Sequence, residues 1–144
     1  MAFRSADVEW QGSVQSGHGH IKLASGAFEG DYSLRTRMDA GAETNPEELL
    51  ASAHAGCFTM AFSMALGAAG HEPTRIHTTA QVRLSQRGGE FIIPRIDLKT
   101  EAVVPGIDAA TFQEIATRAE RSCPVSKALA GTEIHLEATL LEAW

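Results

Sequence analysis

Basic clusters are missing from this chain. Its 12 Lys and Arg are scattered among 18 Asp and Glu, leaving a net charge of -6. No stripe of Lys or Arg forms, which argues against nucleic acid and against anionic membrane as partners. A leader is not expected either: residues 1–10 are mixed and polar, without the basic-then-apolar layout of a signal peptide, so the reading is cytoplasmic. Repeats, low-complexity tracts and linkers are also absent. With 44% apolar residues in 144, the composition supports a real core in one domain spanning residues 1–144.

Cysteine is scarce. Cys57 and Cys123 are the only two, 66 positions apart. In a reducing compartment a permanent disulfide is not expected. Two thiols that merely pack, or a transient catalytic bridge, are the alternatives left open.

Charge is absent from one long stretch. Residues 49–70 contain no Asp, Glu, Lys or Arg. Asn45 suits an N-cap, Pro46 the first helical position, and Glu47 and Glu48 the positive end of the helix dipole. The pattern predicts a helix to Ala69 with Gly70 as its stop. Such a run is long enough to raise a membrane span. Its content of Ala, Gly, Ser, Thr and Met, with His54 inside it, favours a helix buried on nearly all sides within a sheet or a dimer. Small residues at Ser52, Ala53, Gly56 and Ala61 would let another backbone come close.

Around this helix the pattern reads as strands and shorter helices. Three short strands are expected within residues 8–38, turned at glycines, followed by a polar loop over residues 39–44. Residues 78–85 and 91–104 read as a hairpin turned at Gly88-Gly89, with Pro94 marking an edge or a bulge. Asp108 caps a helix to about Arg121, and Pro124 opens a further short one ended by Gly131. Residues 133–141 form a last strand with Ile134, Leu136, Ala138 and Leu140 on one face. The expected order is βββ-α-ββ-αα-β, an α+β fold.

Local chemistry favours Cys123 as the more acidic thiol. In Ser122-Cys123-Pro124 it is placed to cap a helix, and a helix N-terminus stabilises a thiolate. Cys57 lies mid-helix among small and apolar residues, where burial raises a thiol pKa. As a nucleophile it would need a cation supplied by the fold. His54, one turn before Cys57, is either a proton partner or, as expected here, a packed or hydrogen-bonded residue at an interface. His18 and His20 have no third ligand at a recognised spacing, so no metal is expected. Phe58, Met60, Phe62 and Met64 read as core, with one or two lining a substrate's alkyl group. Phe28 and Tyr32 carry no stronger claim.

Two motifs carry a resemblance. The run from Thr44-Asn45-Pro46-Glu47-Glu48 to His54-Ala55-Gly56-Cys57-Phe58 resembles the signature of the OsmC/Ohr family of hydroperoxide reductases. Val104-Pro105-Gly106-Ile107-Asp108 and Ser122-Cys123-Pro124-Val125-Ser126 resemble its second signature. Thr36-Arg37-Met38, shortly before Asn45, is similar to the OsmC branch more than to the Ohr branch. The resemblance implies a thiol peroxidase without a bound cofactor, reducing organic hydroperoxides. It implies Cys57 as peroxidatic cysteine, Cys123 as resolving cysteine, Arg37 as the thiolate-stabilising arginine and Glu47 as the carboxylate that orients it. It also implies an OsmC-like intertwined homodimer and recycling by an external dithiol of the lipoyl type. Two rival readings stand beside it: a Cys-His hydrolase using Cys57 and His54, and a non-catalytic stress or binding module on the same fold.

Overall fold

The computed structural model describes residues 1–39 and 41–143. Its contacts fall into two compact units, Met1–Leu49 and the chain from Leu50 onward. The expected loop over residues 39–44 includes Ala40, which lies outside the described residues.

In the first unit, β1 (Ala6–Gln11), β2 (His18–Leu23) and β3 (Glu29–Tyr32) form an antiparallel meander in the order β1-β2-β3. Val8 sits opposite Ile21, and Ile21 opposite Gly30. Gly19 is required by a close approach. The rings of Trp10 and Tyr32 meet edge-on with centroids 5.6 Å apart, and a Cβ on Gly19 would come within 2.2 Å of Tyr32. Among the described large apolar side chains of this unit only Ile21 is buried, while Phe3, Val8, Val14 and Met38 are exposed.

The third strand ends earlier than the alternation predicts. Residues Leu34–Met38 form a short helix, α1, because Ser33 and Thr36 close a capping box. Ser33 accepts from the Thr36 N–H, and the Thr36 hydroxyl accepts from the Ser33 N–H. That reciprocal pairing offers the backbone a helical start that outweighs a weak strand pattern.

Helix α2 spans Pro46–Ala68. The Asn45 side chain accepts from the Glu48 N–H at 2.8 Å, the expected cap. Gly70, at φ +86°, ends it in a Schellman turn: His71 N–H donates to the Leu66 carbonyl and Gly70 N–H to that of Gly67. By length and composition α2 could cross a membrane. Here its Phe58, Phe62 and Leu66, spaced one turn apart, are fully buried in the core of the second unit. Burial within the chain follows this one stripe. Ser52, Ala53, Gly56, Met60, Ser63, Met64 and Gly67 are exposed.

The second unit holds a three-stranded sheet in the order β4-β7-β8, formed by Arg75–Val82, Arg95–Val103 and Glu133–Leu141. β4 pairs antiparallel with β7, and β8 runs parallel to β7. The parallel pairing requires a crossover, supplied by α3 (Ala109–Ser122) and α4 (Pro124–Ala128). The expected Gly88-Gly89 turn belongs to a separate two-stranded hairpin, β5 (Ser85–Arg87) with β6 (Glu90–Ile92). Pro94 falls between β6 and β7, where the missing N–H breaks the expected long strand in two. The observed order is therefore βββ-αα-ββββ-αα-β.

Phe58, Phe62, Leu66, Leu98, Ala102, Phe112, Ile115, Ala116 and Cys123 form one core cluster. Ile134, Leu136, Ala138 and Leu140 of β8 pack against it, on one face as the alternation predicts. A chain of hydroxyls, Thr59 to Thr78 at 2.8 Å and Thr78 to Thr100 at 2.9 Å, ties α2 to β4 and β7.

Two outcomes follow from this packing. Phe62 is fully buried between Phe58 and Phe112, with ring centroids 5.5 and 5.4 Å away. Phe62→Ala is expected to cost about 3–5 kcal/mol in urea unfolding. On the β2-β3 edge, His20 is held between Asp31 and Glu29, and its hydrogen bond to Asp31 and then that to Glu29 raise its pKa above 6.5. A raised folded pKa means the contribution is fully present below pH 6.5 and is lost as pH climbs through the raised value. An NMR titration of Asp31→Asn should bring the His20 pKa back down.

Candidate active site

Cys57 and Cys123 come together although 66 residues separate them. Two helix features cause it. Cys57 lies on α2, beside the buried stripe. The Pro124 ring disfavours a helical residue before it, and Cys123 leaves α3 with ψ at 121° to become the joint between α3 and α4. Its N–H still donates to Ala119, and its carbonyl accepts from Lys127. At that joint the two sulfurs stand 2.9 Å apart as free thiols. Cys123 is fully buried, whereas Cys57 keeps partial exposure.

The two sulfurs are in hydrogen-bond contact, and their surroundings differ. Burial pushes the Cys57 thiol up, the neighbouring Cys123 thiol pushes it further, and the Val125 N–H only partly opposes them. Burial also acts to raise Cys123, yet its thiol is held below the ordinary value. The Cys57 thiol, the N–H and hydroxyl of Ser126 and the N–H of Val125 together outweigh burial. This ordering matches the expectation from Ser122-Cys123-Pro124. No side-chain capping hydrogen bond from Cys123 accompanies it. The favourable effect comes first from the Cys57 thiol, and then from the start of α4 through Ser126 and Val125.

His54 does not pair with Cys57. It is fully buried, and its Nε2 lies 2.7 Å from the Ser126 hydroxyl. Its Nδ1 has no hydrogen-bond partner among the described residues. Burial lowers its pKa, which keeps the ring neutral near pH 7. Among the described residues no hydrogen bond joins His54 to Cys57, which weighs against a Cys57–His54 hydrolase. Ser126 has no role in the sequence reading, although it ends the motif that contains Cys123. The available signal was a repeated spacing: His54 and Cys57 are three apart on α2, as are Cys123 and Ser126.

Arg37 and Glu47 come together in the first unit. Arg37 Nε and Nη2 donate to Glu47 Oε1 at 3.0 and 2.7 Å, with a longer contact from Nε to Oε2 at 3.3 Å. Glu47 is buried and Arg37 is half-buried. Asn45 supports the arrangement by donating to the carbonyl of Thr36, next to Arg37. A forked contact of this kind fixes the orientation of the guanidinium plane. The structure thus forms two pairs, Cys57 with Cys123 and Arg37 with Glu47.

The remaining candidates lie elsewhere. Phe58 and Phe62 belong to the core, and Met60 and Met64 are each 73% exposed on the outer face of α2. Both ring nitrogens of His20 are engaged by carboxylates. Among the described residues no group of three or more His, Cys, Asp or Glu could hold a metal.

Comparison with known proteins matches residues 39–138 to the OsmC-like protein family. Peroxiredoxin OsmC of Escherichia coli K12 is 44% identical over 127 residues, covering 88% of this chain and 89% of that protein. The organic hydroperoxide resistance protein of Xanthomonas axonopodis pv. citri is 33% identical over 106 residues, 70% of this chain and 72% of the other. The crystal structure of an organic hydroperoxide resistance protein from Elizabethkingia anophelis shares the fold. Its TM-score is 0.72, with 23% identity and 99% of each chain covered.

Proposed function

We propose, for a chain that belongs to the OsmC/Ohr family, that it is a thiol peroxidase reducing organic hydroperoxides at Cys57. The observation that carries this reading is the cysteine pair. Two thiols stand 2.9 Å apart, and only Cys57 is open to an incoming peroxide. A neighbouring thiol at that distance can close a disulfide with little movement, before over-oxidation occurs.

In the proposed cycle the Cys57 thiolate attacks the distal oxygen of the hydroperoxide. The O–O bond breaks, the alkoxide takes a proton and leaves as the alcohol, and Cys57 becomes a sulfenic acid. The Cys123 thiolate then attacks that sulfur. An S–S bond forms, the S–O bond breaks, and the departing hydroxide is protonated to water. An external dithiol, of the lipoyl type, reduces the disulfide and is itself oxidised to a cyclic disulfide. No bound cofactor takes part, and the setting is the cytoplasm. Bulky organic hydroperoxides are the substrates.

Cys57 on its own is a poor thiolate, because burial and Cys123 raise its pKa. Arg37 is proposed as the compensating cation. It is permanently charged, and its planar fork can also face the developing alkoxide. Glu47, already bound to the guanidinium, orients it.

The proposal places these residues in a homodimer. Glu47 and Cys57 lie ten residues apart on α2, which at 1.5 Å per residue is about 15 Å along the axis. A second copy of α2, antiparallel and related by a two-fold axis, would lay its N-terminus beside the middle of the first. The exposed small residues Ser52, Ala53 and Gly56 suit such close approach, and Met60 and Met64 add apolar area. The thinly buried sheet of the first unit, with Ile21 its one large buried apolar residue, likewise suits a further covering surface.

Two experiments test this reading. Reduced protein treated with one equivalent of an alkyl hydroperoxide should give a Cys57–Cys123 disulfide by mass spectrometry. Cys57→Ser should consume no peroxide. Cys123→Ser should consume about one equivalent and leave a trappable sulfenic acid on Cys57. First oxidation at Cys123 would reverse the roles, and two unreacted thiols would end the peroxidase reading. For the shared site, inactive Glu47→Ala and Cys57→Ser homodimers are mixed in denaturant and refolded. Heterodimers with one intact site should regain activity, and no recovery beside a refolded wild-type control would refute the cross-subunit assignment.

A further inference from the structure

Four side chains form a closed cluster at the meeting of α2 with the α3–α4 joint. His54 and Cys57 are one turn apart on α2, and Cys123 and Ser126 are one turn apart across the joint. Two cross-links join them: Nε2 of His54 to Oγ of Ser126 at 2.7 Å, and sulfur to sulfur at 2.9 Å. His54, Cys123 and Ser126 are all buried. The peroxidase cycle uses the two cysteines and leaves the other two members unassigned.

The unpartnered nitrogen assigns the tautomer. A neutral imidazole carries one N–H, and its position is set by the partners of the two nitrogens. Buried N–H groups without a partner are rarer than under-satisfied acceptors. Nδ1 is buried and has no partner among the described residues, so the hydrogen belongs on Nε2, which then donates to Ser126 Oγ. With its oxygen serving as acceptor, Ser126 keeps its own hydroxyl hydrogen to donate. Cys123 and Ser126 are both buried, three residues apart at the start of α4, and Ser126 acts to lower the Cys123 thiol.

We propose that His54 and Ser126 are positioning residues that form a one-way donor chain, Nε2–H to Oγ–H to sulfur, holding Cys123 as a thiolate ready to attack the Cys57 sulfenic acid. The inference deepens the peroxidase reading and rests on it for the second half of the cycle. Cys123 gives its proton to solvent, its electron pair forms the S–S bond, and hydroxide leaves Cys57 and takes a proton to become water. The imidazole stays neutral throughout, which suits its burial. The titratable groups facing Cys123 are Cys57 from α2 and, through Ser126, His54. The charged side chains Glu114, Arg118 and Arg121 of α3 and Lys127 of α4 are exposed, and Glu120 of α3 is half-buried.

The test measures Cys123 directly. In a Cys57→Ala background the thiolate absorbance at 240 nm is followed against pH. Adding Ser126→Ala or His54→Leu should raise the Cys123 pKa by about one unit, a tenfold loss of thiolate below it. His54→Gln retains an N–H donor and should stay near the parent. It also keeps the test available if the leucine variant does not fold. With Cys57 present, stopped-flow should show sulfenic acid closing to disulfide about tenfold more slowly at pH 7 in Ser126→Ala, with the parent rate recovered at high pH as the thiol ionises. An unchanged pKa, an equal slowing at every pH, or a glutamine variant as impaired as leucine would overturn the donor chain. Should the parent form no sulfenic acid with a hydroperoxide, the peroxidase reading falls, while the titration still decides the donor chain.

Discussion

Pro124 has no N–H to extend α3, and its ring disfavours the helical region for the residue before it, which stands at ψ 121°. Cys123 is therefore fixed at a bend between two helices, with its sulfur turned into the core instead of along a helix surface. The contact of that bend with α2 governs the site. It brings Cys123 to Cys57, Ser126 to His54, and the first N–H groups of α4 to both sulfurs. The same cluster is packed into the second unit's core, through Phe58, Phe112, Ile115 and Ala119. Site geometry and core packing are thus one construction, and a close-packed interior leaves such a pair little freedom to drift.

The electrostatics of the pair divide the labour proposed for it. Burial and the neighbouring thiol make Cys57 reluctant to ionise, and the Val125 N–H of α4 only partly offsets them. Cys123 is buried more deeply yet ionises more readily, because several donors converge on it. Depth and acidity point in opposite directions at the two sulfurs. The accessible thiol is the one that requires an outside cation, and the inaccessible thiol is the one already prepared. That asymmetry is the physical reason for proposing first attack at Cys57, helped by a cation from outside its own unit, and resolution at Cys123. The forked Arg37–Glu47 pair is preorganised for such a task, since its guanidinium plane is fixed before any peroxide arrives.

Each unit of this chain leaves large apolar side chains exposed. Met60 and Met64 lie on the outer face of α2 with the small residues Ser52, Ala53 and Gly56, and Val8 and Met38 are exposed in the first unit. A helix without charge from residue 49 to residue 70 is poorly suited to face water along that side. The single-chain burial of α2 along the His54, Phe58, Phe62 and Leu66 stripe accounts for one face only. The homodimer proposed here gives the remaining face an occupant, with small residues for close approach and Met60 and Met64 for apolar area.

Helix caps and alternation were legible in the sequence because they depend on residues close in the chain. Asn45 and Pro46 fixed the start of α2, Gly70 its end, Asp108 the start of α3, and the spacing of Ile134 to Leu140 the buried face of β8. The two motifs also marked Cys57, Cys123, Arg37 and Glu47 as candidates, and the structure joins them as two pairs. Other features escaped. The Ser33–Thr36 capping box overrode a loose strand pattern, and Pro94 divided one expected strand into β6 and β7. The parallel pairing of β8 with β7 and the link from His54 to Ser126, 72 residues apart, depend on where the crossover lays its helices. Local sequence determined which residues cap, turn and bury, because those choices are settled within a few residues. Tertiary structure alone decided which sulfur is reached by which donors, because hydrogen bonds and burial act over a few ångströms between segments that the sequence keeps far apart.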